Sequence, residues 1–289
     1  MIWQFIVNGI ITGMIYGVIA LGFALVYNTT RIFHISYAAI YMIAPYFLMF
    51  FLKSLGLPLA FSLVLTFLGT VAIGLSSELL VYSPLAKQNS SSNVMMLSSI
   101  GIMIVIINIV ALLFGNETKI LNSEISRSIT IGKILITYTQ LIQFFVSLLL
   151  LSCFFTFLKF SRFGIKTRAY RDDERLLAVM GINTIRLKRT LFALSSFFAA
   201  VGSCLIAYDI GMDPYIGMPI LLSSVVALII GGVGRFEAPV LGGLIIGILQ
   251  ALVVYATSAR WQDAVTFLLL IVFLLFRPQG ILGEKMRSV

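Results

Sequence analysis

The sequence predicts an all-α protein, a polytopic membrane helical bundle with about eight or nine transmembrane helices. Apolar residues make up 60% of the 289 positions and charged residues only 11%, against roughly 25% charged residues in an average soluble domain. The mean hydropathy is +1.07, and apolar runs recur along the whole chain. So few charges could not cover the surface of a water-soluble fold of this size. We therefore expect a single transmembrane domain over 1–289.

Nine apolar runs without charged residues are the candidate transmembrane segments. A helix needs about 20 apolar residues to cross roughly 30 Å of hydrocarbon. The candidates are 5–27, 36–52, 58–77, 94–114, 137–158, 190–208, 217–233, 238–257 and 264–276. The second, seventh and ninth are short, so each of these three can be a broken or re-entrant segment.

The basic residues predict sidedness, because they concentrate in cytoplasmic loops. The longest polar interruption, 159–189, holds nine of the 20 Lys and Arg residues. Placing it inside also places inside Arg31, Lys87, Arg235, Arg277, Lys285 and Arg287. Only five basic residues then lie outside: Lys53, Lys119, Arg127, Lys133 and Arg260. We expect the N-terminus outside and the C-terminus in the cytoplasm, and the net charge of +9 then requires no nucleic acid partner.

Small residues repeat at a spacing of four in two segments. They are Gly9, Gly13 and Gly17 in the first segment, and Gly243 and Gly247 in the eighth. Such faces let helix backbones approach closely in lipid. Helix packing is the expected role of these glycines, and pore lining by small residues is the alternative.

The composition excludes several kinds of site. His34 is the only histidine, and the two cysteines lie in apolar stretches without Cys-x-x-Cys spacing, so we expect no metal centre. Carriers driven by protons or sodium ions usually place ionisable residues within the bilayer, and the nine segments contain none. No Gly-x-x-x-x-Gly-Lys-Ser/Thr phosphate loop occurs either. A separate ATPase docked at 169–181 accounts for both absences, and a passive channel is the alternative.

The interruption at 159–189 has features that a simple connector does not need. Three acidic residues precede three apolar residues at helical spacing: Asp172, Asp173 and Glu174, then Leu176, Leu177 and Met180. Acidic residues are favoured at a helix N-terminus, and Gly181 is typical of a helix stop. Asn183 or Thr184 can cap the next helix. The sequence predicts a short amphipathic helix on the cytoplasmic face, surrounded by basic residues such as Arg171.

Three functions fit such a helix. It can lie in the membrane interface and bind anionic lipid headgroups. It can instead dock into a groove of a cytoplasmic partner. A catalytic carboxylate cluster is the third possibility, but no metal ligand or nucleophile accompanies these acids. The pattern favours the first two functions equally.

Several stretches together resemble a known family over essentially the full length. They are 8–16, 40–43, 161–164, 180–184, 213–217, 231–234, 242–247 and 277–283. Each stretch is weakly specific, but their order and spacing are jointly specific. In these stretches the chain resembles the permease subunits of branched-chain amino-acid ABC importers, the LivH-type family.

The resemblance implies an assembly in the bacterial inner membrane. Its parts are a second related permease, two cytoplasmic ATPase subunits and an extracytoplasmic solute-binding protein. The permease itself is then not an enzyme and has no catalytic residue or cofactor. The resemblance also implies that the loop ending at Gly181 is the coupling helix that contacts the ATPase. The implied coupling residues are Arg171, Asp172, Asp173, Glu174, Leu176, Leu177 and Gly181.

The sequence departs from the family pattern just before the second segment. Where the family has Asn-Phe-Ala-His-Gly-Glu, residues 34–39 are His-Ile-Ser-Tyr-Ala-Ala, so Tyr37 and Ala39 replace the histidine and glutamate. We expect this region to border the translocation path, which makes His34, Ser36, Tyr37 and Tyr41 the candidate path residues. The alternatives are interfacial hydrogen bonding for His34 and packing for the two tyrosines, which share a helix face.

The resemblance implies import of branched-chain or other hydrophobic amino acids. A permeant with net charge would find no counter-ion in the nine segments and would face a large desolvation penalty. Related permeases serve urea, short amides or other small polar solutes, which are the alternative within the class. The alternative from another class is the passive channel.

Overall fold

The computed structural model describes residues 2–121, 128–131, 134–277 and 279–283. The helices are α1 (Ile2–Thr30), α2 (Tyr37–Met49), α3 (Leu59–Ser77), α4 (Ser83–Lys87), α5 (Ser92–Phe114), α6 (Tyr138–Phe160), α7 (Arg162–Asp172), α8 (Glu174–Val179), α9 (Thr184–Ile210), α10 (Gly217–Gly231), α11 (Ala238–Ala256) and α12 (Gln262–Phe276). An antiparallel hairpin of β1 (Ser128–Ile131) and β2 (Ile134–Thr137) precedes α6. The all-α membrane bundle is confirmed, with this small hairpin as an addition.

Eight helices in the described part of the chain are long and apolar enough to cross a membrane. They correspond to eight of the nine predicted segments. The seventh segment forms α10, whose 15 residues span about 22 Å at 1.5 Å per residue, less than the hydrocarbon thickness. The other two short segments are lengthened by irregular turns. A π-helical turn, Phe50–Ser54, follows α2, and a 3-10 turn, Ala259–Trp261, precedes α12.

The chain divides into two compact units, and unit 1 contains Met1–Ala24, Ser123–Phe155 and Leu222–Val289. Its hydrophobic core joins α1, α10 and α11 through Ala20, Val226, Ala227, Ile230 and Ile246. Side chains of α12 pack against this cluster: Leu269, Leu270 and Phe273. The description of 1–289 as one transmembrane domain stays a prediction.

The glycine faces of α1 and α11 lie against each other within unit 1. A Cβ atom added at Gly13 would lie 2.8 Å from the Cα of Leu244, and one added at Gly243 would lie 2.5 Å from the nitrogen of Gly17. A Cβ atom at Gly247 would collide with the backbone of Gly13. Helix packing therefore occupies the space that pore lining at these residues would need.

Unit 2 contains Leu25–Asn122 and Thr156–Leu221. Its central helix is α2, which contacts α3, α5 and α9 and is buried at most positions. Two hydrophobic clusters hold these helices together. The first contains Met42, Ile43, Tyr46, Val110, Ala207 and Met212, and the second contains Ala44, Leu48, Ala200 and Cys204. The polar loop between α6 and α9 carries α7 and α8.

Candidate functional site

Two short helices occupy the 159–189 loop, where the sequence predicted one. The predicted helix corresponds to α8. The preceding helix α7 begins at an N-cap, since the Ser161 hydroxyl accepts a hydrogen bond of 3.0 Å from the Gly164 amide. Arg168 then donates a bond of 2.9 Å to the carbonyl of Leu158. These bonds tie α7 to the end of α6.

The ends of α8 follow the local signals in the sequence. The Asp173 carboxylate accepts hydrogen bonds from the amides of Arg175 and Leu176, at 2.8 and 3.0 Å, as an N-cap residue does. Gly181, just beyond the helix, has a φ of +80°, which costs glycine little. The Asn183 side chain accepts a bond of 2.9 Å from the amide of Arg186 and caps α9. The loop is therefore held at three defined caps and turns.

The apolar residues of α8 face in two directions. Leu177 is buried within unit 2, at 3% exposure. Leu176 and Met180 are 58% and 70% exposed, and Val179, which the predicted stripe did not include, is 85% exposed. The sequence pattern predicted one apolar face of Leu176, Leu177 and Met180, and this grouping is wrong, because Leu177 turns inward and anchors the six-residue helix. The outward apolar surface consists of Leu176, Val179 and Met180.

The acidic residues of the loop also differ from one another. Asp172 lies on the surface and pairs with Arg171, whose Nη2 is 2.8 Å from the Asp172 Oδ1. Glu174 instead lies within electrostatic reach of the hydroxyl of Tyr170, a side chain of α7 that is only 2% exposed. Burial, followed by the nearby charge of Glu174, raises the pKa of Tyr170 well above its ordinary value. Tyr170 therefore stays protonated and joins α7 to α8.

A buried hydrogen-bond network surrounds His34, in the turn between α1 and α2. Its Nδ1 lies 2.9 Å from the hydroxyl of Tyr82 and 3.1 Å from that of Ser36. Tyr82 donates to the Ser99 hydroxyl at 2.7 Å, and the Ser36 amide donates to the same oxygen at 2.7 Å. Burial lowers the pKa of His34 to about 3, so the imidazole is neutral at physiological pH.

The four candidate path residues lie together but are enclosed by protein. His34 and Ser36 have no exposed surface, and Tyr37 and Tyr41 are each 1% exposed. The ring of His34 makes edge contacts with the rings of Tyr37 and Phe192. Such burial agrees with packing of the two tyrosines, the alternative role given above. A role of the four residues in a translocation path stays a prediction.

Sequence reasoning missed two residues of this network and one buried acid. Tyr82 and Ser99 are separated from His34 by 48 and 65 positions along the chain, so no local pattern connects them. Glu78 directly follows the apolar run 58–77, but its side chain is 1% exposed and lies near two cations of α9, Lys188 and Arg189. The available signal was this acid at the end of one apolar run and two adjacent cations, Lys188 and Arg189, directly before another. Within the described residues, no group of three or more potential metal ligands occurs.

Comparison with known proteins extends over nearly the whole chain. Residues 5–274 match the family described as "Branched-chain amino acid transport system / permease component". The chain is 31% identical to the high-affinity branched-chain amino acid transport system permease protein LivH of Escherichia coli K12, covering 96% of this chain and 94% of that protein. It is 30% identical to the permease protein BraD of the same kind of system in Pseudomonas aeruginosa, with coverage of 97% and 95%.

More distant similarities agree with this architecture. A probable branched-chain amino acid transport permease protein LivH from Methanocaldococcus jannaschii is 25% identical, over 94% of this chain and 89% of that protein. A solved structure, PsaBC from Streptococcus pneumoniae in complex with Fab, superposes with a TM-score of 0.53 at 14% identity. It covers 96% of this chain and 92% of the solved chain, and at this identity the similarity concerns the fold alone.

Proposed function

The chain belongs to the branched-chain amino acid transport permease family, and on that premise we propose that it is the permease subunit of an ABC importer. Separate ATPase subunits bind it and hydrolyse ATP, since the sequence has no phosphate loop of its own. The permease is then a transport subunit without catalytic residues or cofactor. Its partners are a second related permease, two cytoplasmic ATPase subunits and an extracytoplasmic solute-binding protein.

The observation that carries this proposal is the outward apolar surface of α8. Leu176, Val179 and Met180 project from a short helix that is capped at both ends and anchored through Leu177. Single exposed apolar residues are common on protein surfaces, but three within five positions of a basic, polar loop form a patch that indicates an interaction site. A helix presented in this way fits a groove in a partner protein. Three of the predicted coupling residues, Arg171, Asp172 and Gly181, flank this surface along the chain.

We propose branched-chain or other hydrophobic amino acids as the substrates. The named bacterial relatives belong to transport systems for branched-chain amino acids. The nine apolar segments hold no Asp, Glu, Lys, Arg or His, so a zwitterion or neutral solute meets a smaller desolvation penalty than a cation or anion does. Direction of transport into the cell follows from assembly with an external binding protein.

Reconstituted vesicles that contain the permeases, the ATPase subunits and the binding protein test this proposal. We expect uptake of radiolabelled leucine with ATP and none without it, and no preference for a cationic amino acid. ATP-driven uptake of urea without leucine would move the substrate to the amide class. Flux that does not depend on nucleotide would instead identify a passive channel.

We propose an inner-membrane protein with its N-terminus outside and its C-terminus in the cytoplasm, because the 159–189 loop holds nine of the basic residues. This orientation needs an odd number of crossings, so the short helix α10 completes a ninth crossing beside the eight longer helices. Single cysteines at the exposed positions Ser91 and Ser258 test this orientation in a background where both native cysteines are alanine. This background is needed because Cys153 is exposed. In intact cells an impermeant maleimide should label Ser258→Cys and not Ser91→Cys. The reverse pattern would invert the topology and place α8 outside.

A further inference from the structure

Glu78 is a buried acid in a membrane helix that the proposed function does not yet use. It begins the π-helical turn Glu78–Tyr82 that links α3 to α4, and its side chain is 1% exposed. Burying a carboxylate costs several kcal/mol unless opposite charges compensate it. An uncompensated acid would therefore be unstable at this position, and its neighbours determine what it does.

Two cations from the second turn of α9 compensate Glu78. The Nζ of Lys188 lies 3.8 Å from one carboxylate oxygen, and the Nε of Arg189 lies 3.5 Å from the other. Both distances exceed those of an N–H···O hydrogen bond, about 2.7–3.2 Å. Among the described residues, neither oxygen of Glu78 has a hydrogen-bond partner. The charge of Glu78 is thus balanced by two cations of α9, but no short hydrogen bond fixes the carboxylate in place.

The same cations connect Glu78 to the loop helices. Lys188 interacts electrostatically with Glu174, the first residue of α8, as well as with Glu78. Tyr170 of α7 lies within electrostatic reach of both Glu174 and Glu78. One charge network therefore joins the membrane helices α3 and α9 to both short helices of the loop.

We propose that Glu78 is a positioning residue that couples movement of α8 to movement of α3. The inference rests on the proposed function, in which an ATPase subunit binds the outward surface of α8. A displacement of α8 changes the distances from Glu174 and Glu78 to Lys188. Because charges interact strongly where water is excluded, α3 follows that displacement. The long ion-pair distances leave room for the pairs to shorten in another state of the transport cycle.

The test compares Glu78→Gln, which keeps the shape and removes the charge, with Arg186→Gln as the matched control. Arg186 is an exposed cation two residues before Lys188 in the same helix, and it forms no salt bridge within the described residues. The measurement is the amount of leucine transported per ATP hydrolysed in reconstituted vesicles, together with co-purification of the ATPase subunits. We expect Glu78→Gln to retain the subunits and their ATP hydrolysis while this ratio falls about tenfold, within the range of typical coupling energies. Arg186→Gln should keep the wild-type ratio.

A purely structural role for Glu78 predicts a different result. Transport and hydrolysis would then fall together, and their ratio in Glu78→Gln would equal that of the wild type, which would overturn the proposal. If Glu78→Gln does not assemble, Lys188→Gln carries the same expectation, and a wild-type ratio there overturns the proposal equally. Where both variants assemble, leucine transported per ATP hydrolysed should be little lower in the double variant than in either single variant, because the two residues act as one pair. The wild-type measurement alone tests the proposed function, since absence of ATP-driven leucine uptake by the wild-type complex contradicts that function before any variant is compared.

Discussion

Replacing Gly247 with valine should prevent stable packing of α1 against α11 and lower the thermal stability of the purified protein strongly. Even a Cβ atom at this position collides with the backbone of Gly13, and a backbone cannot move aside as a flexible side chain can. Overpacking of this kind costs typically about 1–3 kcal/mol and sometimes more. The measurement is the midpoint of thermal unfolding in detergent, with the yield of monodisperse protein as a second readout.

Gly101→Val is the matched control for this experiment. Gly101 lies inside α5, and a Cβ atom there would meet no atom within 4 Å. The same chemical change in another membrane helix should therefore leave the unfolding midpoint almost unchanged. Equal midpoints for Gly247→Val and Gly101→Val would show that the close approach of the two glycine faces contributes nothing to stability.

Arginine substitutions at two neighbouring leucines should separate folding of the permease from docking of the ATPase subunits. Leu177→Arg should destabilise unit 2, since Leu177 is 3% exposed and an unpaired buried charge costs several kcal/mol. Leu176→Arg should leave the fold intact, because Leu176 is 58% exposed, and should prevent binding of the ATPase subunits. Thermal unfolding of the permease and co-purification of the ATPase subunits are measured for both variants.

The outcomes of this pair are distinct. A stable Leu176→Arg protein without bound ATPase subunits is the expected result, and Val179→Arg should behave in the same way because Val179 is 85% exposed. Retention of the subunits and of ATP-driven uptake by both exposed-site variants would exclude this surface as the docking site. A Leu177→Arg protein as stable as the wild type would contradict the buried position of that side chain.

The fold was largely predictable, because its signals are local or periodic. Apolar runs of sufficient length identify membrane helices whatever their neighbours are, and the short α10 was flagged by its length. Gly181 and Asn183 carry recognisable stop and cap signals that depend on a few adjacent residues. The extra helix α7 was missed because its sequence is basic and polar, with no apolar stripe to indicate helical spacing.

The site was less predictable, because its geometry depends on tertiary contacts. A stripe of leucines shows that a helix has an apolar face, but a six-residue helix does not reveal which leucine turns inward. Leu177 and Leu176 were therefore indistinguishable before the fold was known. The environment of Glu78 depends on Lys188, which is 110 positions away, and the bonds of His34 to Tyr82 likewise depend on how distant helices meet.

The contact between α1 and α11 also has a consequence for biosynthesis. The glycine face of α1 is synthesised before that of α11, since the partner Gly247 follows Gly13 by more than 200 residues. At roughly 5–20 residues per second, α1 waits on the order of ten seconds or longer for that partner. During this interval its small-residue face is open to other newly inserted helices. Correct assembly of unit 1 therefore requires that α1 forms no lasting contact through this face before α11 has been synthesised.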